Sequence, residues 1–181
     1  MPQSEKKQKW LNVVIEWAEA LTIALSVIVL LFAFVFRLVS VDGTSMLGTL
    51  RHGERLVLSR LPYSPDYEDI VVLRVEGRSE PLIKRVIGLS GDTIEVTDDG
   101  KVLRNGEELY EPYVAALTAT ERMNGTVTVP EGEVFVMGDN RAAGCSLDSR
   151  TFGCVEEGAL VGKVIFRVMP FNRIGGLYDE S

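Results

Sequence analysis

One histidine and two cysteines are all that this chain offers of the side chains best suited to binding zinc. His52, Cys145 and Cys154 cannot supply a typical structural site unaided, so neither a metal nor a cofactor is expected. Basic tracts are missing as well. Residues 1–39 carry a net charge of +1, whereas residues 40–181 carry −8, from 15 basic and 23 acidic side chains. An acidic body without a run of Lys or Arg argues against nucleic acid as a partner. There is no internal repeat and no low-complexity stretch. Nor does a long amphipathic helical pattern fall between the apolar runs beyond Ser40, which argues against a parallel α/β sheet. A chain of 181 residues has room for one domain plus a membrane segment, and little more.

Apolar sequence is plentiful, at 46% of all residues, and its densest run lies near the N-terminus. Residues 20–36, "ALTIALSVIVLLFAFVF", pass without a charge. As a helix they span about 26 Å, slightly short of a ~30 Å hydrocarbon core. Leu38, Val39 and Val41 extend the run if Arg37 snorkels to the interface. The anchor is therefore expected over residues 20–39, with residues 1–19 forming a cytoplasmic N-terminus and the start of the helix. Trp10 and Trp17 stand at the far end, where amphipathic rings favour the headgroup level. Lys6, Lys7 and Lys9 precede the span and only Arg37 closely follows it. The positive-inside rule then puts the N-terminus in the cytoplasm and residues 40–181 outside the cell membrane. A cleaved leader would need an A-x-A-like site after the run, but Arg37 and "VSVDGTS" stand there instead.

Beyond Ser40 the pattern is β-rich. "DIVVLRV", "LIKRVIGL", "DTIEV", "KVLR", "TVTV", "EVFVMG" and "KVIFRVM" are short, β-branched runs separated by turn formers. Asp99-Gly100 and Asn105-Gly106 are tight-hairpin dipeptides. A mostly antiparallel β domain over residues 40–181 is expected, with residues 107–126 as a small, more polar excursion. In "PLIKRVIGL", Leu82, Lys84 and Val86 share one face while Ile83, Arg85 and Ile87 share the other. Either the strand is buried on both sides and its cations have partners or shifted pKa values, or it is an edge strand whose cations reach water. "MGDNRAAGCSLDSRTFG", residues 137–153, packs Asp139, Asn140, Arg141, Ser146, Asp148, Ser149 and Arg150 into twelve positions. Such a loop is either an ordinary solvated turn held by Asp–Arg pairs or a scaffolded site of chemistry. It lacks the G-x-x-x-x-G-K-[ST] pattern of a phosphate loop.

In order and spacing, the anchor, "GTSMLGTL", "DIVVL", "IKRVIGLSGDTI" and the "GDNR" to "DSRTFG" loop resemble type I signal peptidases. The single anchor is similar to the shorter Gram-positive-type enzymes. The resemblance runs from the anchor to about "KVIFRVMPFNRIG". It implies an antiparallel β catalytic domain of the signal-peptidase and repressor-peptidase kind, preceded by one transmembrane helix, with an apolar substrate groove. It implies Ser45 as nucleophile and Lys84 as general base, and a pairing of Arg85 with Asp139. Ser146 matches a serine that orients the lysine, while Asp148 and Arg150 match residues that shape the site. The partners implied are the signal peptides of secretory preproteins, cleaved after small residues at −1 and −3, and the lipid bilayer.

Those residue types suit that chemistry. A serine hydroxyl becomes a competent nucleophile when a neutral amine takes its proton. Holding a lysine of pKa ≈ 10.4 neutral at pH 7 costs roughly 4–5 kcal/mol, which burial on an apolar strand face is able to impose. The tetrahedral intermediate needs donors for its oxyanion, and the Ser45 backbone N–H is the first. Some relatives place a hydroxyl two residues before the nucleophile; Gly43 stands there, so a second donor is unassigned. Phe36 and Ser45 are nine residues apart, at most about 30 Å when extended, so the serine stays near the outer membrane surface. A signal peptide presents its scissile bond just beyond its own apolar region.

Two departures from the family pattern stand out. Gly48 replaces the usual proline of S-M-x-P-T-L, losing a fixed φ. Four residues, 142–145, rather than two, separate "GDNR" from Ser146, which reads as a two-residue loop extension. Cys145 and Cys154, both on the outer side, fit either a disulfide tying that loop or two free thiols. Other readings of the residues are a different Ser–Lys peptidase such as a self-cleaving repressor, a processor of one dedicated pilin or conjugation substrate, and an inactive tethered peptide-binding domain. His52 as the base is a further alternative.

Overall fold

The computed structural model describes residues 2–120, 123 and 125–177. The chain divides into two units, Met1–Phe36 and Arg37–Ser181. In the first, helix α1 (Pro2–Val35) runs for 34 residues. Its portion Gln8–Val35 contains an 18-residue window of mean hydropathy 2.5 and is long and apolar enough to cross a membrane. Within its uncharged stretch, the Thr22 and Ser26 hydroxyls donate to the carbonyls of Ala18 and Thr22 at 2.8 Å each. That arrangement suits a helix with no water around it.

The helix stops earlier than expected. The expected anchor extends to residue 39, but its last four residues, 36–39, belong to strand β1 (Phe36–Ser40). The reason lies in the packing of the second unit. Val39 lies against a core of Val41, Met46, Leu50 and Leu56, so these apolar residues serve the β domain.

The remaining strands follow in order: β2 (Arg55–Ser59), β3 (Ile70–Leu73), β4 (Leu82–Gly88), β5 (Thr93–Val96), β6 (Val102–Arg104), β7 (Glu107–Glu108), β8 (Thr126–Thr128), β9 (Glu133–Met137), β10 (Val155–Glu156) and β11 (Leu160–Met169). They build a seven-stranded sheet, β1-β2-β11-β3-β4-β9-β10, and a four-stranded sheet, β7-β6-β5-β8. The registers from β2 to β11 are antiparallel throughout, so the expected mostly antiparallel β fold is what forms. Asn105-Gly106 closes a two-residue hairpin between β6 and β7, with φ of 54° and 83°, the signature of a mirror-image turn that matches strand twist. The excursion runs between β7 and β8 without a regular element; residues 121, 122 and 124 lie outside the described residues.

Strand β4 is central, flanked by β3 and β9, with Lys84 opposite Val71 and Arg85 opposite Met137. Both cations are buried. The edge-strand alternative therefore falls, and the partners of two buried cations become the question.

Candidate active site

Ser45 lies in a short turn whose ends are pinned by the core. The Leu47 N–H donates to the Thr44 carbonyl, and those of Thr49 and Leu50 donate to the Met46 carbonyl at 3.1 and 2.8 Å. Met46 and Leu50 are buried on either side, which leaves Ser45 half-buried with its hydroxyl facing β4. Two bonds from the neighbouring loop hold the backbone. The Asn140 N–H donates to the Ser45 carbonyl at 2.9 Å, and its side-chain amide donates to the Thr44 carbonyl at 3.1 Å. Among the described residues no acceptor takes the Ser45 N–H.

The Lys84 amine donates to Ser45 Oγ at 2.7 Å and to the Ile83 carbonyl at 3.0 Å. Lys84 is 1% exposed. Burial lowers its pKa to about 8, against the upward pull of Asp148 and Asp139, while Arg78 and Arg150 add to the lowering. Desolvation disfavours the ammonium more than two carboxylates stabilise it.

Arg85, on the opposite face of β4, grips Asp139 with two bonds, Nε to Oδ1 at 2.9 Å and Nη2 to Oδ2 at 2.7 Å. Thr49 closes the same group, donating to Asp139 Oδ2 at 2.5 Å and accepting from Arg85 Nη2 at 3.0 Å. A second forked pair joins Arg150 to Asp148, at 2.9 and 2.8 Å. Such charge-assisted, two-point bonds fix orientation as well as distance. Asp148 also caps the short helix α2 (Ser149–Phe152) and accepts the Gly138 N–H at 3.1 Å. Burial pushes the Asp148 carboxyl up, but bonds from Arg150, the Ser146 hydroxyl and Gly138 outweigh it and hold the group below its ordinary value.

The structure thus brings Ser45, Lys84, Arg85, Asp139, Ser146, Asp148 and Arg150 to one region, joined by contacts across strand β4 and the loop after β9. Ser146 is buried with its hydroxyl on Asp148. His52 is elsewhere in the bonding pattern: it is exposed, 3.2 Å from Asp42, and accepts the Gly43 N–H at 3.2 Å. Cys145 is exposed, Cys154 is half-buried, and both are free thiols.

Sequence reasoning assigned no role to Thr49, Gly138 or Asn140, although all three stand inside the quoted motifs. Gly138 is required by space: a β-carbon there would meet Ser146 Oγ at 2.3 Å and the Ser45 carbonyl at 2.4 Å. Arg141 stands in the charged loop that the sequence singles out but without a partner assigned, and Glu111 and Tyr113 were missed. Glu111 takes both terminal nitrogens of Arg141, and the Tyr113 ring lies 3.8 Å from the Arg85 guanidinium. A single Glu in an irregular polar stretch carries no periodic signal.

An antiparallel β domain that sets a hydroxyl against a buried amine has the makings of a hydrolase. The family model for signal peptidase, peptidase S26, matches residues 14–169. Signal peptidase I of Bacillus licheniformis is 37% identical, with 94% of this chain and 96% of that protein covered. Signal peptidase I T of Bacillus subtilis (strain 168) is 35% identical, with 92% and 91% covered. A solved signal peptidase I from Enterococcus faecalis V583 is 34% identical, with 56% of this chain and 97% of that chain covered and a TM-score of 0.46. The chain belongs to the S26 signal peptidase family.

Proposed function

We propose that this chain is a membrane-anchored signal peptidase I that removes signal peptides from exported preproteins, with Ser45 as nucleophile and Lys84 as general base. The observation that carries the reading is the 2.7 Å contact between Lys84 Nζ and Ser45 Oγ, made by an amine whose burial lowers its pKa to about 8. Above that pH the amine is largely neutral and accepts the hydroxyl proton as Oγ attacks the scissile carbonyl. The Ser45 N–H stabilises the resulting oxyanion. Lys84 then hands its proton to the departing mature N-terminus, and takes one from the water that hydrolyses the acyl-enzyme. Arg85–Asp139 and Arg150–Asp148 keep the two loops in register around this pair, and Ser146 orients the amine. His52 fits the base role less well, since its ring is exposed beside Asp42 and Gly43 while the group on Ser45 Oγ is the Lys84 amine.

The topology that suits this chemistry has Lys6, Lys7 and Lys9 in the cytoplasm and residues beyond about 40 outside. An extended substrate would send alternate side chains into apolar pockets on one face, which accounts for small residues at −1 and −3. The test is to incubate the detergent-solubilised protein with a secretory preprotein and sequence the new N-terminus. Cleavage after a small residue, lost in Ser45→Ala and slowed when the −1 residue is made large, is expected. Turnover that persists in Ser45→Ala would sink the proposal.

A further inference from the structure

The excursion between β7 and β8 reaches back to both loops of the site. Its Glu111 carboxylate binds Arg141, with Oε2 2.8 Å from Nη1 and Oε1 on Nη2. The Arg141 side chain is fully enclosed and that of Glu111 is 10% exposed. Arg141 Nε donates to the Gly138 carbonyl at 2.9 Å. Gly138 in turn lies against the Ser45 carbonyl and Ser146 Oγ, and its N–H holds Asp148. Tyr113 ties the same segment to the other loop: its hydroxyl donates to Glu111 Oε1 at 2.9 Å and its ring covers Arg85. Its carbonyl also fits against Gly48 so closely that a β-carbon there would lie 2.6 Å away.

We propose that Glu111 is a positioning residue for peptide hydrolysis, holding the Gly138–Arg141 turn, and through it the Ser45–Lys84 pair, by its forked bond to Arg141. The inference rests on the dyad reading above. A forked bond suits this task because it fixes the plane of the guanidinium, and hence the direction in which Nε meets the Gly138 carbonyl. Loss of the carboxylate leaves Arg141 to seek another partner and frees the turn. Small displacements of reacting groups are costly to rate. A loosened turn also admits water to Lys84, whose surroundings are Asp148, Asp139, Arg78 and Arg150. Because burial is the main cause of its lowered pKa, rehydration moves the titration of the base towards higher pH.

The full chain in detergent, with a preprotein substrate, provides the test. Glu111→Gln is expected to lower kcat roughly 10- to 100-fold, leave KM within a few-fold, and move the rising limb of the pH profile to higher pH. The double variant Glu111→Leu/Arg141→Met replaces a buried ion pair with apolar side chains, an exchange that often preserves stability. It should fold, hold its Tm near that of the parent, and still show the low kcat. A double variant with parental Tm and parental kcat would reduce the ion pair to a structural bridge and overturn the proposal, as would a Glu111→Gln protein with unchanged kcat and pH profile. If Glu111→Gln does not fold, the double variant decides alone. Ser45→Ala is run alongside: surviving turnover there refutes the dyad itself, a result the Glu111 variants cannot produce.

Discussion

Lys84 is held on an inner strand, its amine bonded to Ser45 Oγ and to the Ile83 carbonyl, and that arrangement has a cost that is measurable. Folding moves the group from 10.5 to about 8, which at about 1.36 kcal/mol per unit amounts to about 3 kcal/mol of stability at pH 7. The folded pKa is the lower one, so between about 8 and 10.5 the folded state binds fewer protons than the unfolded chain, and stability rises with pH across that window. Below it the penalty is present in full. Lys84→Met, which keeps the volume without the charge, should therefore raise Tm at pH 7, and the gain should shrink as the pH approaches 10. Thermal unfolding of both proteins across pH 7–10 checks this; a lower Tm in Lys84→Met at pH 7 contradicts it. At this scale the motif residues were legible because the strings that carry them are long and ordered. Glu111 and Tyr113 were not, since their contacts depend on how an irregular segment returns to the sheet.

Strand β4 shows what periodicity can and cannot give. Alternation places Lys84 and Arg85 on opposite faces, but it leaves open whether the strand is central or at an edge. Only the pairing with β3 and β9 decides. The end of the anchor is ambiguous for a similar reason: Phe36, Leu38 and Val39 are apolar enough for a helix end, yet Val39 is needed by the β core. The Ser45–Leu50 turn gives the departure at Gly48 a physical meaning. Gly48 has φ of +121° and faces the Tyr113 carbonyl, whereas proline is confined to φ near −65°. Restoring the family's proline should therefore harm this chain. Gly48→Pro is expected to lower Tm, by about 1–3 kcal/mol of stability, and to lower turnover as the nucleophile's turn shifts. A protein with raised Tm and full activity would mean the turn adopts the proline geometry in solution.

For the whole molecule, the topology proposed above rests on the charge asymmetry and the apolar helix. The helix carries lysines at positions 6, 7 and 9, while residues 40–181 carry −8. Protease added to intact cells or spheroplasts should digest the β domain and spare the N-terminus; digestion confined to the first nine residues would reverse the orientation. The fold class was legible because short β-branched runs with tight turns between them admit few other arrangements, while the division into a seven- and a four-stranded sheet depends on long-range pairing that no local pattern encodes. The account as a whole depends on a neutral lysine acting on a serine, and the pH dependence of kcat/KM tests that most directly, since it reports groups of the free enzyme. It should rise through about 8, the value to which burial brings Lys84, and vanish in Lys84→Ala and in Lys84→Arg, whose guanidinium stays charged. A Lys84→Ala protein that is folded, membrane-inserted and still cleaves preprotein at a substantial rate would contradict it.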